Sequence, residues 1–227
     1  MANWIKLLIG VLFVTSTSGA ALQAQEPLPR VLILGDSVYR QPVAELKKQF
    51  KGQLEFVHPA LPDSSPVFNS STALAHLDQL LGEEPWNLVI FNVGLGDLVH
   101  RDGKMKTLRV LPFHAGGVPA TDAKQYEQNL RELVARLKAK ESRLIWASTT
   151  PIRSSPKRVF KVGSEIEYNE IAAKIMHESE IEIVDMHTHV KGLIDMDKPA
   201  AHGADPFHFD RKPIHEPLAE VIGQLLE

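Results

Sequence analysis

The feature that most constrains this chain is an alternation. Five short apolar runs, rich in β-branched and aromatic residues, cover 30–34, 54–58, 88–93, 143–148 and 181–186. Runs of this kind suit buried parallel strands. Between them lie segments with apolar residues at helical spacing. Residues 42–50 carry Val43, Leu46 and Phe50, and 72–81 carry Leu74, Leu77, Leu80 and Leu81. The clearest is 122–140, with Tyr126, Leu130, Leu133, Val134 and Leu137 on one face and charges on the other. Residues 165–178 follow the same rule with Ile166, Ile171 and Ile175, and the chain ends on Leu218, Val221, Ile222 and Leu225. Strands alternating with helices predict a parallel sheet covered on both faces. The expected architecture is a three-layer α/β/α sandwich with a five-stranded, mainly parallel sheet. Right-handed crossovers narrow its topology, and the expected strand order is flavodoxin-like.

In open sheets of this type, ligands bind outside the carboxyl ends of the strands. Gly35-Asp36-Ser37, Gly94-Leu95-Gly96-Asp97 and Thr149-Thr150-Pro151 each follow a predicted strand, so the pattern places them on one rim. A serine at a strand-to-helix turn is a candidate nucleophile whose own N–H can serve a reacting oxyanion. Asp36-Ser37 is also what a simple helix N-cap looks like. Near the other end, Asp205-x-x-His208 sets a carboxylate within reach of an imidazole. Such a pair can supply a base and its orienter, in the chain order Ser, Asp, His. With ten histidines in the chain, a pair at this spacing is also expected by chance. The glycines of Gly94-Leu95-Gly96-Asp97 would let a substrate approach the backbone, or would simply form a turn. Asp97 is expected to tie loops together by accepting backbone N–H groups.

Composition excludes several classes. The chain of 227 residues carries 25 Lys and Arg against 28 Asp and Glu, a net charge of -3. No basic stripe favours nucleic acid. Cysteine is absent, which removes disulfides, thiolate metal ligands and a cysteine nucleophile. His187-Thr188-His189 would put two imidazoles on one side of an extended segment, with Asp185 and Asp195 nearby. That cluster is the one candidate for zinc. It lacks a second ligand pair at a recognised spacing, so no metal is expected. Lys47-Lys48 and the basic stretch 153–161 are expected to be solvated faces. Long loops at 100–121 and 192–213 are candidates for shaping a substrate site.

Residues 1–24 stand apart. Lys6, an apolar core from Leu7 to Val14 and the small residues Ser18-Gly19-Ala20-Ala21 have the form of a secretory signal peptide, cleaved between Ala20 and Ala24. An uncleaved N-terminal anchor is the other reading. The expectation is a single domain at 25–227, exported to a periplasmic or secreted location, with no stable membrane span after cleavage.

Gly-Asp-Ser after the first strand, Gly-x-x-Asp after the third and Asp-x-x-His before the last helix, in that order, resemble the SGNH hydrolase superfamily, also called GDSL-type esterases and lipases. The resemblance runs from about Arg30 to Leu226. Other stretches resemble a bacterial branch of it: the segment from Trp86 to Leu95, Tyr126 to Leu130, Leu144 to Pro151, and Tyr168-Asn169. The resemblance implies Ser37 as nucleophile, His208 as general acid/base, Asp205 as its orienter, and ester hydrolysis without a metal or organic cofactor. Its substrate would be a small-molecule or carbohydrate ester, such as an acetyl ester.

Two departures concern the oxyanion hole. The superfamily's third motif is usually Gly-x-Asn-Asp, and this chain has Gly96 at the Asn position. Its second motif carries a glycine, and the matching region from Phe68 to Thr72 has none. The expected donors are therefore the Ser37 N–H, with Asn92 as first substitute, Asn69 as second and Gly94 as a further candidate. Asp36 and Asp97 are expected to support the site. The competing reading is an SGNH-like carbohydrate-binding protein with weak or no catalysis.

Overall fold

The structure is a computed structural model that describes residues 26–62, 67–104, 109–199, 209 and 212–227. Five parallel strands form its sheet: β1 (Arg30–Leu34), β2 (Glu55–Val57), β3 (Leu88–Phe91), β6 (Arg143–Ala147) and β7 (Glu182–Val184). The spatial order is β2-β1-β3-β6-β7, the flavodoxin-like order. Two short strands, β4 (His100–Arg101) and β5 (Val118–Pro119), pair antiparallel as a separate ribbon within the loop 100–121.

Side chains alternate across a strand, so each strand feeds both layers. In β1, Leu32 and Leu34 join the layer built with α2 (Ser70–Ala75), α3 (Leu77–Leu81), α5 (Ala123–Lys138) and α6 (Ser164–Glu178). Val31 and Ile33 join the opposite layer, with α1 (Arg40–Gln49), α7 (Met186–Leu193) and α8 (Glu216–Gly223). This is why the strands read as continuous apolar runs rather than as alternating ones. Each fully buried Leu or Ile here stabilises the fold by about 1.5–3 kcal/mol.

The helices follow their sequence signals. The buried face of α5 is Tyr126, Asn129, Leu130, Leu133, Val134 and Leu137, and Asp122 caps its start by accepting from the Gln125 N–H. The segment expected as one helix over 72–81 is two, because the chain bends at His76 between α2 and α3. His187-Thr188-His189 is not extended. Asp185 accepts from the Thr188 N–H and opens α7, so the apolar run ends at Val184 and a helix begins at Met186. Arg153 is not on a solvated face either: it is 5 % exposed and its guanidinium lies over the Phe209 ring. Among the described residues no helix is long and apolar enough to cross a membrane.

Candidate active site

The chain leaves β1 to one side, for β2, and returns to the other, for β3. The carboxyl ends of β1 and β3 therefore flank the point where the strand order reverses, which is where open sheets bind ligands. A cleft of about 840 Å³ lies there. Its lining comes from the segments that follow β1 (Ser37), β2 (His58) and β3 (Leu95, Gly96), and from the ribbon (Arg101).

Ser37 is exposed and opens a 3-10 turn, Ser37–Tyr39, that runs directly into α1. Asp36 caps that turn: its carboxylate accepts from the Val38 N–H at 2.8 Å. The first N–H of a helical turn has no intrahelical acceptor, so the Ser37 N–H is of the kind that can serve an oxyanion. Gly35 is needed because the Tyr39 ring lies where its side chain would be.

After β3 comes a short helix, α4 (Leu95–Leu98), whose start is Gly94. At both glycines the space a side chain would take is filled by the protein itself. A side chain on Gly94 would collide with the Thr149 hydroxyl, and one on Gly96 would collide with the Phe68 carbonyl. Asp97 does tie loops together. It is fully buried and accepts from the Ser70 N–H at 3.1 and 3.0 Å and from the Ser70 hydroxyl at 2.6 Å. Burial raises its pKa to about 6, against the opposing bonds from Ser70 and Thr121. The network continues outward. Asn129 donates to the Ser70 and Ser71 hydroxyls, both at 2.9 Å, and accepts from Gln125 at 2.8 Å.

Asn92 does not face the cleft. Its Nδ2 donates to the Ala147 carbonyl at 2.8 Å and to the Thr149 hydroxyl at 3.2 Å. A carbonyl only accepts, so the amide orientation is fixed and both hydrogens are used. Asn92 is a buried clamp between the exits of β3 and β6. Asn69 differs. Its side-chain oxygen accepts from the Thr72 N–H at 2.8 Å as the cap of α2. That leaves its Nδ2 hydrogens free of protein acceptors among the described residues. Its Cβ lies 3.1 Å from where a Gly96 side chain would start.

Asp205 and His208 lie outside the described residues, as do residues 1–25 and half of the loop 192–213. The two other candidate imidazoles are separated by α7. His187 faces Glu165 at 3.4 Å, and His189 faces the Pro213 carbonyl at 3.3 Å. Among the described residues no three His, Asp or Glu side chains converge as metal ligands.

The sequence reading missed His58, Arg40 and Arg101, all on the cleft wall. The His58 Nδ1 lies 2.9 Å from the Ile33 carbonyl and must donate to it, which leaves Nε2 as an acceptor. Burial, then the nearby cations Arg40 and Lys47, lower its pKa against that bond. Other family-like stretches are braces. The Tyr126 hydroxyl donates to the Val93 carbonyl at 3.0 Å and the Tyr168 hydroxyl to the Thr121 carbonyl at 2.6 Å. Asn169 holds Thr149 by both backbone groups, at 2.8 and 2.9 Å.

No family model and no curated protein sequence matches the chain. Solved structures do match its fold. An acetyl xylan esterase superposes with a TM-score of 0.62 at 13% identity, over 87% of this chain and 100% of that one. A lipase/acylhydrolase from Enterococcus faecalis gives 0.63 at 9% identity, over 87% and 97%. A GDSL-like lipase from Bacteroides thetaiotaomicron gives 0.55 at 16% identity, over 87% of each chain.

Proposed function

From a chain with the SGNH-hydrolase fold, we propose a serine ester hydrolase acting on small esters, with an acetyl ester of a carbohydrate as the favoured class. The observation that carries this reading is the exposure of Ser37 in a cleft at the strand-order reversal, on the first turn after β1. The ester reading also draws on proteins with the same fold, one of them an acetyl xylan esterase.

In the proposed reaction the Ser37 hydroxyl attacks the acyl carbonyl while His208 takes its proton. Asp205 fixes the imidazole tautomer and favours its charged form. The tetrahedral intermediate collapses, and His208 returns the proton to the departing alcohol. Water then repeats the cycle on the acyl-enzyme, so ester and water become acid and alcohol. The Ser37 N–H is the first oxyanion donor. Asn69 is the better second donor, because its amide hydrogens have no acceptor among the described residues and its side chain begins beside Gly96, where the superfamily's asparagine would stand. Losing one such donor costs on the order of 100- to 1000-fold in rate.

The carbohydrate-binding reading is supported by one observation: Gly96 has no side chain and Asn92 is engaged elsewhere. One experiment separates the two. A serine-directed phosphonate should label the wild-type chain at Ser37, found by peptide mass spectrometry, and abolish hydrolysis of 4-nitrophenyl acetate. Ser37→Ala should neither label nor turn over. Activity retained in Ser37→Ala sinks the hydrolase mechanism, and binding of sugar without any turnover in wild type favours the alternative.

A further inference from the structure

The cleft beside Ser37 holds two arginines that pair with no acid among the described residues. Some arginines elsewhere do find carboxylates: Arg143 meets Glu182 at 2.7 Å and Arg136 meets Asp78 at 2.9 Å. Arg40 and Arg101 line the cleft and make no ion pair with a described acid. Arg40 is the exposed first residue of α1, one turn after the Asp36 cap. The Nε of Arg101 is buried without a hydrogen-bond partner among the described residues. Burial lowers the pKa of its guanidinium, and no described acid offsets that desolvation.

The position of Arg101 comes from strand geometry. Residues two apart on a strand share a face, and Val99 and Arg101 both line the cleft at the start of the ribbon. Arg40 is near enough to His58 to disfavour its protonation, which places its charge at the wall formed after β2. Asp36 is the described carboxylate on the lining, and it accepts from the Val38 N–H as a cap. A cleft with two guanidiniums that meet no described acid, in a chain of net charge -3, is suited to receive negative charge.

We propose that the cleft selects esters that carry an anionic group, a carboxylate or a phosphate, bound jointly by Arg101 and Arg40. A planar guanidinium forks onto either group. The word ester rests on the hydrolase reading above, whereas the anion site does not.

The test uses the folded domain and three acetate esters: 4-acetoxybenzoate, 4-acetoxyphenyl phosphate and neutral phenyl acetate. For wild type, kcat/KM should favour an anionic ester over the neutral one by tenfold or more at low salt, mostly through KM, and the better of the two identifies the group. In Arg101→Gln the ratio of anionic to neutral kcat/KM should fall at least tenfold, and Arg101→Lys should recover part of it. Arg40→Gln, at an exposed position, should lower the same ratio even if an Arg101 variant fails to fold. Calorimetry of benzoate and phenyl phosphate binding to Ser37→Ala reads the site without chemistry. Arg101-dependent binding with no turnover of any ester would sink the hydrolase reading and leave the anion site standing. Turnover with no anion preference, and no binding of either anion, would overturn the anion site and leave the hydrolase.

Discussion

The Phe68 carbonyl lies where a side chain on Gly96 would have to start. The segment before α2 fills the space beside Gly96, and the Asn69 side chain begins next to it. Gly96→Ala should destabilise the fold by about 1–3 kcal/mol through overpacking, and Gly96→Asn by more. Urea denaturation measures this. Equal stability of Gly96→Ala and wild type would mean that Phe68 yields without cost.

Asn69 and Asn92 separate by substitution. Asn92→Ala leaves the buried Ala147 carbonyl without its donor, so it should cost about 1–3 kcal/mol in stability. Asn69→Asp keeps the cap, since Asp caps as well as Asn, but has no amide hydrogen to donate. Stability should hold while kcat drops by roughly 100-fold with little change in KM, the pattern of a contact made in the transition state. Full kcat in Asn69→Asp would remove Asn69 from the oxyanion hole.

Asp97 gives a pH signature. Its folded pKa of about 6 is raised above the ordinary 3.8, so the native state holds its proton more tightly. The stability this contributes is full below about pH 4 and is lost as pH rises through 6. Asp97→Asn lacks this titration. Relative to wild type it should gain on the order of 2–3 kcal/mol between pH 4 and pH 7. Parallel stability curves for the two proteins would show that Asp97 does not titrate there.

With neutral His208 as the base, kcat/KM should rise with pH through an apparent pKa of about 6.5–7. His58 is the rival imidazole, and its lowered pKa would set the rise at a lower pH. His208→Ala should remove most turnover. If His58→Phe does so instead and His208→Ala does not, the roles belong to His58.

Export is checked on protein from its native host. Mass spectrometry should find a mature N-terminus between Ala21 and Gln25, as the small residues after the short apolar core imply. An intact Met1 on cytosolic protein would refute this.

The sheet was legible because parallel strands buried on both faces leave unbroken apolar runs, and α5 because its apolar stripe is long. Arg30–Leu34 and Arg143–Ala147 begin where the sequence puts them. The ribbon was not legible, since strands of two residues carry no period. The start of α7 was visible in principle, as Asp185-x-x-Thr188 is a capping pattern, but the apolar run through Met186 masked it. Asn92 misled because β3 ends at Phe91, and the side chain that follows turns toward β6. Arg101 carries no local signal at all; its meaning depends on its place on the cleft wall and on having no acid partner among the described residues.

The hydrogen-bond chain that runs inward from exposed Gln125 through buried Asn129 and Ser70 to Asp97 makes α5 a remote handle on the cleft. Nothing on that helix lines the cleft, yet its polar residues set the seat of α2 and α4, and with them Asn69 and Gly96. Ser70, Asp97 and Asn129 then behave as a single unit. Changing one strands the others in an apolar layer, so their effects will not add. A redesign of this seat would have to exchange all three together.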